Sequence, residues 1–443
     1  MRKLALACLL LSLALPAQET AAARDSTLLI TTPGILTDAP RTQLKGRPAH
    51  WPLRAEDGFE LGDSHFRVRI GGSSLAIAML AGSAPHKTVR SGKSYALRYR
   101  VGGGQQRTMN VGFVREHDKT WSWYCADVRV VTLGKQKIRL VDANADGRFS
   151  MLKDGYLVPG ARTVCPLAES MVIGASEVHI LTLADNGEHL RVAELALPGS
   201  RSQLEGLQTI NRLRASNGLP GVTLAEDLSV GCTAHAQYLV VNNWDGATSP
   251  HTEEARSTGF SKQGAEAAMR SLIMKESHVA AVPSYWRTWF HRRHIMDPVL
   301  ARVGINAEPE EISVIDVLAK DLERIAWSWP VCVPADGAID IPVAALREMP
   351  SEPVKELGSR GFPIMALYRR SPGDDIEFEG TLVSMIKGRA RKVRTLVGDR
   401  GKFPRLYGIV PEKPLRPATD YVATLEWRAG AEVTRRVIRF RTR

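Results

Sequence analysis

The sequence predicts an α+β, multidomain chain in which a helix-rich middle separates two β-rich parts. Three observations carry this. The 443 residues exceed what one compact core usually holds, so two to four domains are expected. The apolar period changes twice: short strand-like runs reach to about residue 198, three- and four-residue spacing begins at Leu204, and strand-like runs return after Pro334. At 44% hydrophobic and 24% charged residues, the composition excludes the disordered and fibrous classes.

The first element is an export signal. Met1-Arg-Lys, the apolar run LALACLLLSLALPA and the small residues around Ala17 and Ala23 have the outline of a secretory signal peptide over 1–23. An uncleaved N-terminal anchor is the alternative. No other segment approaches the ~18 apolar residues of a membrane-crossing helix. The expectation is an exported chain, secreted or held in the periplasm or at the cell surface, and not an integral membrane protein. Cys125, Cys165, Cys232 and Cys332 follow the signal, with no CxxC or Cys/His zinc spacing. In an exported chain they permit disulfides. Cys125–Cys165 is the expected pair, and Cys232 is either bonded to Cys332 or a small buried apolar residue.

Residues 24–198 read as a β-rich domain of sandwich type. HFRVRI, SYALRYRV, RTMNVGFV, ADVRVVTL, KIRLV and EVHILTL are short apolar or alternating runs separated by Gly and polar turns. Within it, VDANADGRFSMLKDG sets Asp142, Asn144 and Asp146 at alternate positions before Gly147. Hard cations want several oxygen ligands around one point, so this spacing predicts a structural calcium loop. The Arg148 main-chain carbonyl and Asp154 complete the candidate ligand set, since Lys153 stands where a sensor-type loop would carry its Glu. A metal-free Asx-rich turn is the other reading.

From 199 to 332 helices dominate. Leu204, Leu207, Ile210 and Leu213 share one face, and Asn217-Gly-Leu-Pro220 supplies the stop. Leu228, Cys232, Ala236 and Leu239 mark a second helix. Gln263–Ile273 and Tyr285–His294 give further helical stretches. Strands are expected at Gly304-Ile-Asn-Ala and Ile312-Ser-Val-Ile, and the order suits a small α/β/α sandwich. The succession LEGLQTINRLRASNGLP, TAHAQYLVVN, SPHTEE and YWRTWFHRRHIMDPVLARVGINA resembles the CAP superfamily of cysteine-rich secretory, antigen 5 and pathogenesis-related proteins, with its SCP-like domain. That resemblance implies the three-layer fold. It also implies a cleft where metal-competent members converge two His and two Glu. His251 matches the first His and His291 the last. Arg270 falls where one Glu is expected, and Tyr285-Trp-Arg-Thr-Trp289 lacks the second carboxylate. A degenerate cleft follows, and zinc is not expected there. Its candidate polar residues are His251, Glu253, Glu254, Arg270 and His291, and His235 is read as a helix-packing residue.

Residues 333–443 return to strands. The ending PLRPATDYVATLEWRAGAEVTRRVIRFRT resembles the last hairpin of immunoglobulin-like or fibronectin III-like modules, so a β-sandwich is expected. Much of the +12 formal charge lies here, in Lys387, Arg389, Arg391, Lys392 and neighbours. Such a face attracts anionic glycans or lipid headgroups, or is simply a solvated strand face. There is no nucleic-acid module. GxSxG, HExxH, Walker and dinucleotide patterns are missing too. The sequence therefore predicts an exported, non-catalytic ligand-binding or interaction protein. A hydrolase with a relocated His-based site and a lipid- or sterol-binding protein are the alternatives.

Overall fold

A computed structural model describes residues 51–443 except 54–58, 72–73, 80–86, 116–120, 127, 134–135, 145, 152, 162, 186, 188, 247–248, 320–329, 349–351, 369–375, 399–402 and 404. The signal segment 1–23 lies outside the described residues.

The alternating runs of the first part fold as antiparallel strands. In Ser64–Gly71, Phe66 and Val68 are buried while Arg67 and Arg69 face out; in Lys93–Val101, Leu97, Tyr99 and Val101 are buried. Two four-stranded sheets share a core of Phe59, Phe66, Leu75, Val111, Phe113, Trp121 and Cys125. A second pair of sheets begins at Val128–Leu133 and ends at Leu190–Ala196, around Val131, Ile138, Tyr156, Leu167, Val178 and Val192. One β-rich stretch thus closes around two separate cores, one ending at Cys125 and the next starting near Val128.

This division overturns the expected disulfide. Cys125 belongs to the first core and Cys165 to the second, where its Sγ lies 3.6 Å from the carbonyls of Ala215 and Leu219. Cys232 sits in another layer, 3.9 Å from Ser271 Oγ, and Cys332 lies on the strand Val331–Val333. No two of the four are joined by a disulfide. Burial pushes the thiols of Cys165, Cys232 and Cys332 up to about 12. In the described residues, cysteine behaves as a small core residue rather than a cross-link.

Among its described residues the middle of the chain holds five helices: α1 (Arg201–Ser216), α2 (Glu226–Val241), α3 (Lys262–Arg270), α4 (His278–Trp286) and α5 (Phe290–Ile295). A capping box between Ser200 and Gln203 starts α1, and Gly218, at φ +72°, follows its end at Asn217. Between the helices runs a sheet ordered Thr223–Leu224, Arg302–Ile305, Ser313–Asp316, Ser271–Met274. Its strands alternate. Leu272, Val303, Ile305 and Ile315 pack with Leu207, Ile210, Ala281 and Val282 of α1 and α4, whereas Ile273 and Val314 pack with Cys232, Ala236 and Ala267 of α2 and α3. Helices therefore cover both faces. Arg214, fully buried on α1, spends its donors on the carbonyls of Pro220, Ile295, Asp297 and Leu300, which pins the loop after α5 to the first helix.

Two expected helical stretches are shorter than their periodicity suggested. Gln263–Ile273 gives way at Ser271 to an edge strand paired with Ser313–Asp316. Tyr285–His294 breaks after Trp286 and restarts at Phe290.

After Val331 two further sheets form. One orders Val331–Val333, Ile364–Leu367, Leu406–Pro411 and Thr395–Val397; the other orders Ala338–Ile341, Glu432–Thr442, Asp420–Ala429, Glu377–Ile386 and Arg389–Val393. Leu382, Ala423, Leu425, Trp427 and Ile438 from the second meet Ile364, Ala366, Tyr407 and Ile409 from the first. This core is continuous with that of α1, α4 and α5, so the helical and C-terminal layers share one interior. Trp289, fully buried, is wedged at the junction: a Cβ on Gly398 would lie 2.6 Å from its ring. Among the described residues no helix is long and apolar enough to cross a membrane.

Candidate functional site

His251 and His291 line one cavity of about 330 Å³ beside the edge strand Ser271–Met274 of the middle sheet. Its walls are Trp244, Pro250, Ile273, Met274, Tyr285 and Thr288, with Lys275, Glu276, Arg347 and Glu348 also reaching it. The two imidazoles arrive from different elements. His251 belongs to the loop between α2 and α3, and His291 to the first turn of α5.

Each ring has one nitrogen committed. His251 Nδ1 lies 2.9 Å from the Ala268 carbonyl, an acceptor only, so Nδ1 donates and Nε2 keeps its lone pair. Burial holds the His251 imidazole below its ordinary value, and the nearby rings of His291 and His235 add to that, so the neutral form is favoured. His291 Nδ1 lies 2.6 Å from Glu348 Oε1. The contact is off the ring's N–H axis, a close approach rather than a linear hydrogen bond. Two facing lone pairs could not approach so closely, so this Nδ1 carries a proton as well.

Glu348 is 3% exposed. Its Oε2 accepts from the main-chain N–H groups of Trp289 and Phe290, both at 2.9 Å, and its Oε1 from that of His291 at 2.6 Å. Burial alone would raise this carboxyl, but His291 and those main-chain donors hold it below the usual carboxylate range. Tyr285 completes the inner wall. Its ring centroid is 5.5 Å from that of His291. The fully buried Tyr285 hydroxyl has no hydrogen-bond partner among the described residues, and burial raises it well above its ordinary value, with Glu276 adding to the effect.

The remaining residues expected in the cleft point elsewhere. Glu253 is buried against His235: Oε1 lies 2.9 Å from His235 Nδ1, and Oε2 accepts from the Ser261 N–H. His235 Nε2 faces the Pro250 carbonyl at 2.8 Å, so both ring nitrogens are taken up by oxygens of the same loop. Pro250 and Glu253 thus clasp His235 while His251 lines the cavity. Glu254 is exposed, its main-chain N–H donating to the Tyr238 hydroxyl. Arg270, at the end of α3, pairs with buried Asp316 at 3.0 Å and does not line the cavity. It occupies the place in sequence where a carboxylate was expected, but its guanidinium serves the sheet.

The residues present do not compose the two-His, two-Glu metal set. Arg270 turns away, Glu348 is taken up by three main-chain donors and His291, and among the described residues no three His, Cys, Asp or Glu side chains converge as a metal cage. The arrangement instead offers two imidazoles and a phenol in an apolar-walled cavity. Such a set can bind hydrogen-bonding groups and, at His291, move a proton. Glu348 and Tyr285 were not singled out from the sequence. Glu348 lies in Leu346-Arg-Glu348, which has no pattern linking it to residue 291.

In the Asp142–Asp154 loop the side-chain oxygens bind main-chain donors. Asp142 Oδ2 accepts from Gly147, Asn144 Oδ1 from Asp146, Asp146 Oδ1 from Arg148, and Asp154 from Ala143 and Ser150. Burial raises the Asp154 carboxyl, and Asp146 nearby adds to it. The basic C-terminal strands are partly neutralised by Glu426–Arg428, Asp336–Arg439, Asp420–Arg441 and Glu412–Arg394, while Arg389, Arg391 and Lys392 stand exposed on an edge strand.

Residues 207–311 match the family model described as CAP, the cysteine-rich secretory protein family. No curated protein matches the chain.

Proposed function

We propose that this chain, whose residues 207–311 match the CAP family model, is an exported, non-catalytic binding protein whose CAP cavity takes a small hydrogen-bonding ligand. The carrying observation is the pairing of His251 and His291, each with Nδ1 committed, with the unpartnered Tyr285 hydroxyl in one apolar-walled cavity. Glycans and anionic lipid headgroups are the ligand classes to which the hydroxyl and imidazole groups and the exposed Arg347 at the cavity are suited. The C-terminal part serves as an immunoglobulin-like β-sandwich that presents the CAP layer. The test is binding of the full chain to glycan and anionic-lipid arrays at rising salt. Binding that weakens with salt and is lost in a His251→Ala/His291→Ala variant supports this reading. Arrays left unbound by the wild-type chain overturn it.

The His291–Glu348 contact favours one second reading, a hydrolase in which His291 is a general base oriented by a carboxylate. Turnover on an ester, peptide and glycoside panel, lost in His291→Ala, selects it over the binding protein.

For the Asp142–Asp154 loop we propose a structural calcium ion. The support is three carboxylates and an amide drawn into one loop, two of those carboxylates (Asp142 and Asp154) being almost fully buried. Calcium there would draw on Asn144 and a main-chain carbonyl such as that of Arg148 as well as on Asp142, Asp146 and Asp154.

A further inference from the structure

We infer that Glu348, a residue outside the CAP segment, is a positioning residue of the CAP cavity: it fixes which nitrogen His291 presents to a ligand. The inference deepens the binding-site reading given above and rests on it for the word ligand, but the positioning itself is a property of the unliganded chain.

The geometry has three parts. The carboxylate is immobilised, being 3% exposed and held by the N–H groups of Trp289, Phe290 and His291. The segment that carries it is tied alongside the same turn: Arg287 donates from Nε to the Ala344 carbonyl and from Nη2 to the Ala345 carbonyl, and the Leu346 N–H donates back to the Arg287 carbonyl. Finally, the turn is anchored from behind. Arg292 is fully buried against the Phe362 ring, 4.5 Å from its centroid, and donates to the Pro363 carbonyl, while Trp289 is wedged against Gly398.

A carboxylate fixed in this way at 2.6 Å from Nδ1 selects the tautomer with the proton on Nδ1. Nε2 is then the nitrogen left for the cavity, as it is in His251, whose Nδ1 proton is held by the Ala268 carbonyl. Two rings from different elements are thereby given the same polarity. The second ring obtains it from the C-terminal layer, not from the CAP sequence itself.

The experiment is long-range 1H–15N correlation on the full chain labelled at histidine nitrogen, with His291 assigned by its loss in His291→Ala. The wild-type spectrum should show His291 protonated at Nδ1 with Nε2 bare at a pH where the ring is neutral. Glu348→Ala should convert it to the Nε2-protonated form, and Glu348→Asp should restore part of the wild-type signal. Glu348→Gln keeps an acceptor for the main-chain donors and guards against misfolding. It should fold and show a mixed tautomer. A His291 spectrum unchanged in folded Glu348→Ala or Glu348→Gln, or an Nε2-protonated wild type, overturns the inference. A tautomer that shifts as stated in a chain that binds nothing on the arrays upholds Glu348 and sinks only the binding-protein reading.

Discussion

Glu348 and His291 are 57 residues apart in sequence and 2.6 Å apart in space, and the carboxylate also takes three consecutive main-chain N–H groups. That relationship makes the break between α4 and α5 a built feature. The chain leaves helical geometry after Trp286, and the donors freed there find a buried anion.

Removing that anion should be costly. Glu348→Ala leaves the Trp289, Phe290 and His291 donors without their acceptor in a buried setting, so a loss of about 2–4 kcal/mol is expected. Glu348→Gln should lose less, because it still accepts from them. Urea unfolding of the full chain checks the order of the two variants.

The wedge formed by Trp289 should behave as a packing contact with two sides. Trp289→Ala opens a void in the shared core and is expected to cost about 3–5 kcal/mol. Gly398→Ala drives a methyl to within 2.6 Å of the indole and is expected to cost about 1–3 kcal/mol. In the double variant the two costs should not add, since the methyl enters space the ring has vacated. A melting curve for each variant decides this.

Acid should destabilise the fold through His278. Its Nε2 faces the Asn306 carbonyl and its Nδ1 the Ser313 hydroxyl, and burial holds it below its ordinary 6.5. The sign follows from that direction. The neutral ring fits the fold, so its contribution is complete above pH 6.5 and is lost as pH falls through that value toward the lowered folded one. His251, lowered for the same reason, acts in the same sense. Melting temperature should therefore drop between pH 7 and 5, and His278→Asn should flatten the drop.

Thiol chemistry offers a direct check on the cores. Cys165, Cys232 and Cys332, raised to about 12 by burial, should resist alkylation at neutral pH in the native chain and react after denaturation. The melting temperature should be the same with and without reductant. A chain 2 Da lighter per cysteine pair in denaturing mass spectrometry would contradict this.

Calcium should raise the melting temperature by several degrees over chelator, an effect on the order of 1–3 kcal/mol at saturating ion. Asp142→Ala should abolish the difference. Equal melting with and without calcium assigns the loop to its own hydrogen bonds.

Much of the architecture was legible from periodicity. The three- and four-residue spacing of Leu204, Leu207 and Ile210 sits on α1, and the alternation in HFRVRI and SYALRYRV sits on strands. His251 and His291 were found because a motif order carried them. Glu253 was grouped with His251 by adjacency, yet in an irregular loop neighbouring side chains need not share a side. Pro250 and Glu253 turn to His235, whose burial on α2 gave no hint of these partners. Arg270 was placed correctly on its helix but not toward its partner, because Asp316 reaches it from another strand. Glu348 was invisible for the same reason: contacts between layers depend on which faces stack, and one chain's periodicity does not encode that. The cysteine pairing failed similarly, since an even count says nothing about which core holds each thiol.

The interior shared by Leu207, Trp289, Ile364 and Trp427 bears on how this protein can be cut. Boundaries drawn where family likeness stops, at residue 311, sever the helices from the sheets that seat Trp289 and from the acid that aligns His291. A fragment made to those limits would bear the family's signature without its own cavity wall. Negative results obtained on such a truncation would describe the fragment alone.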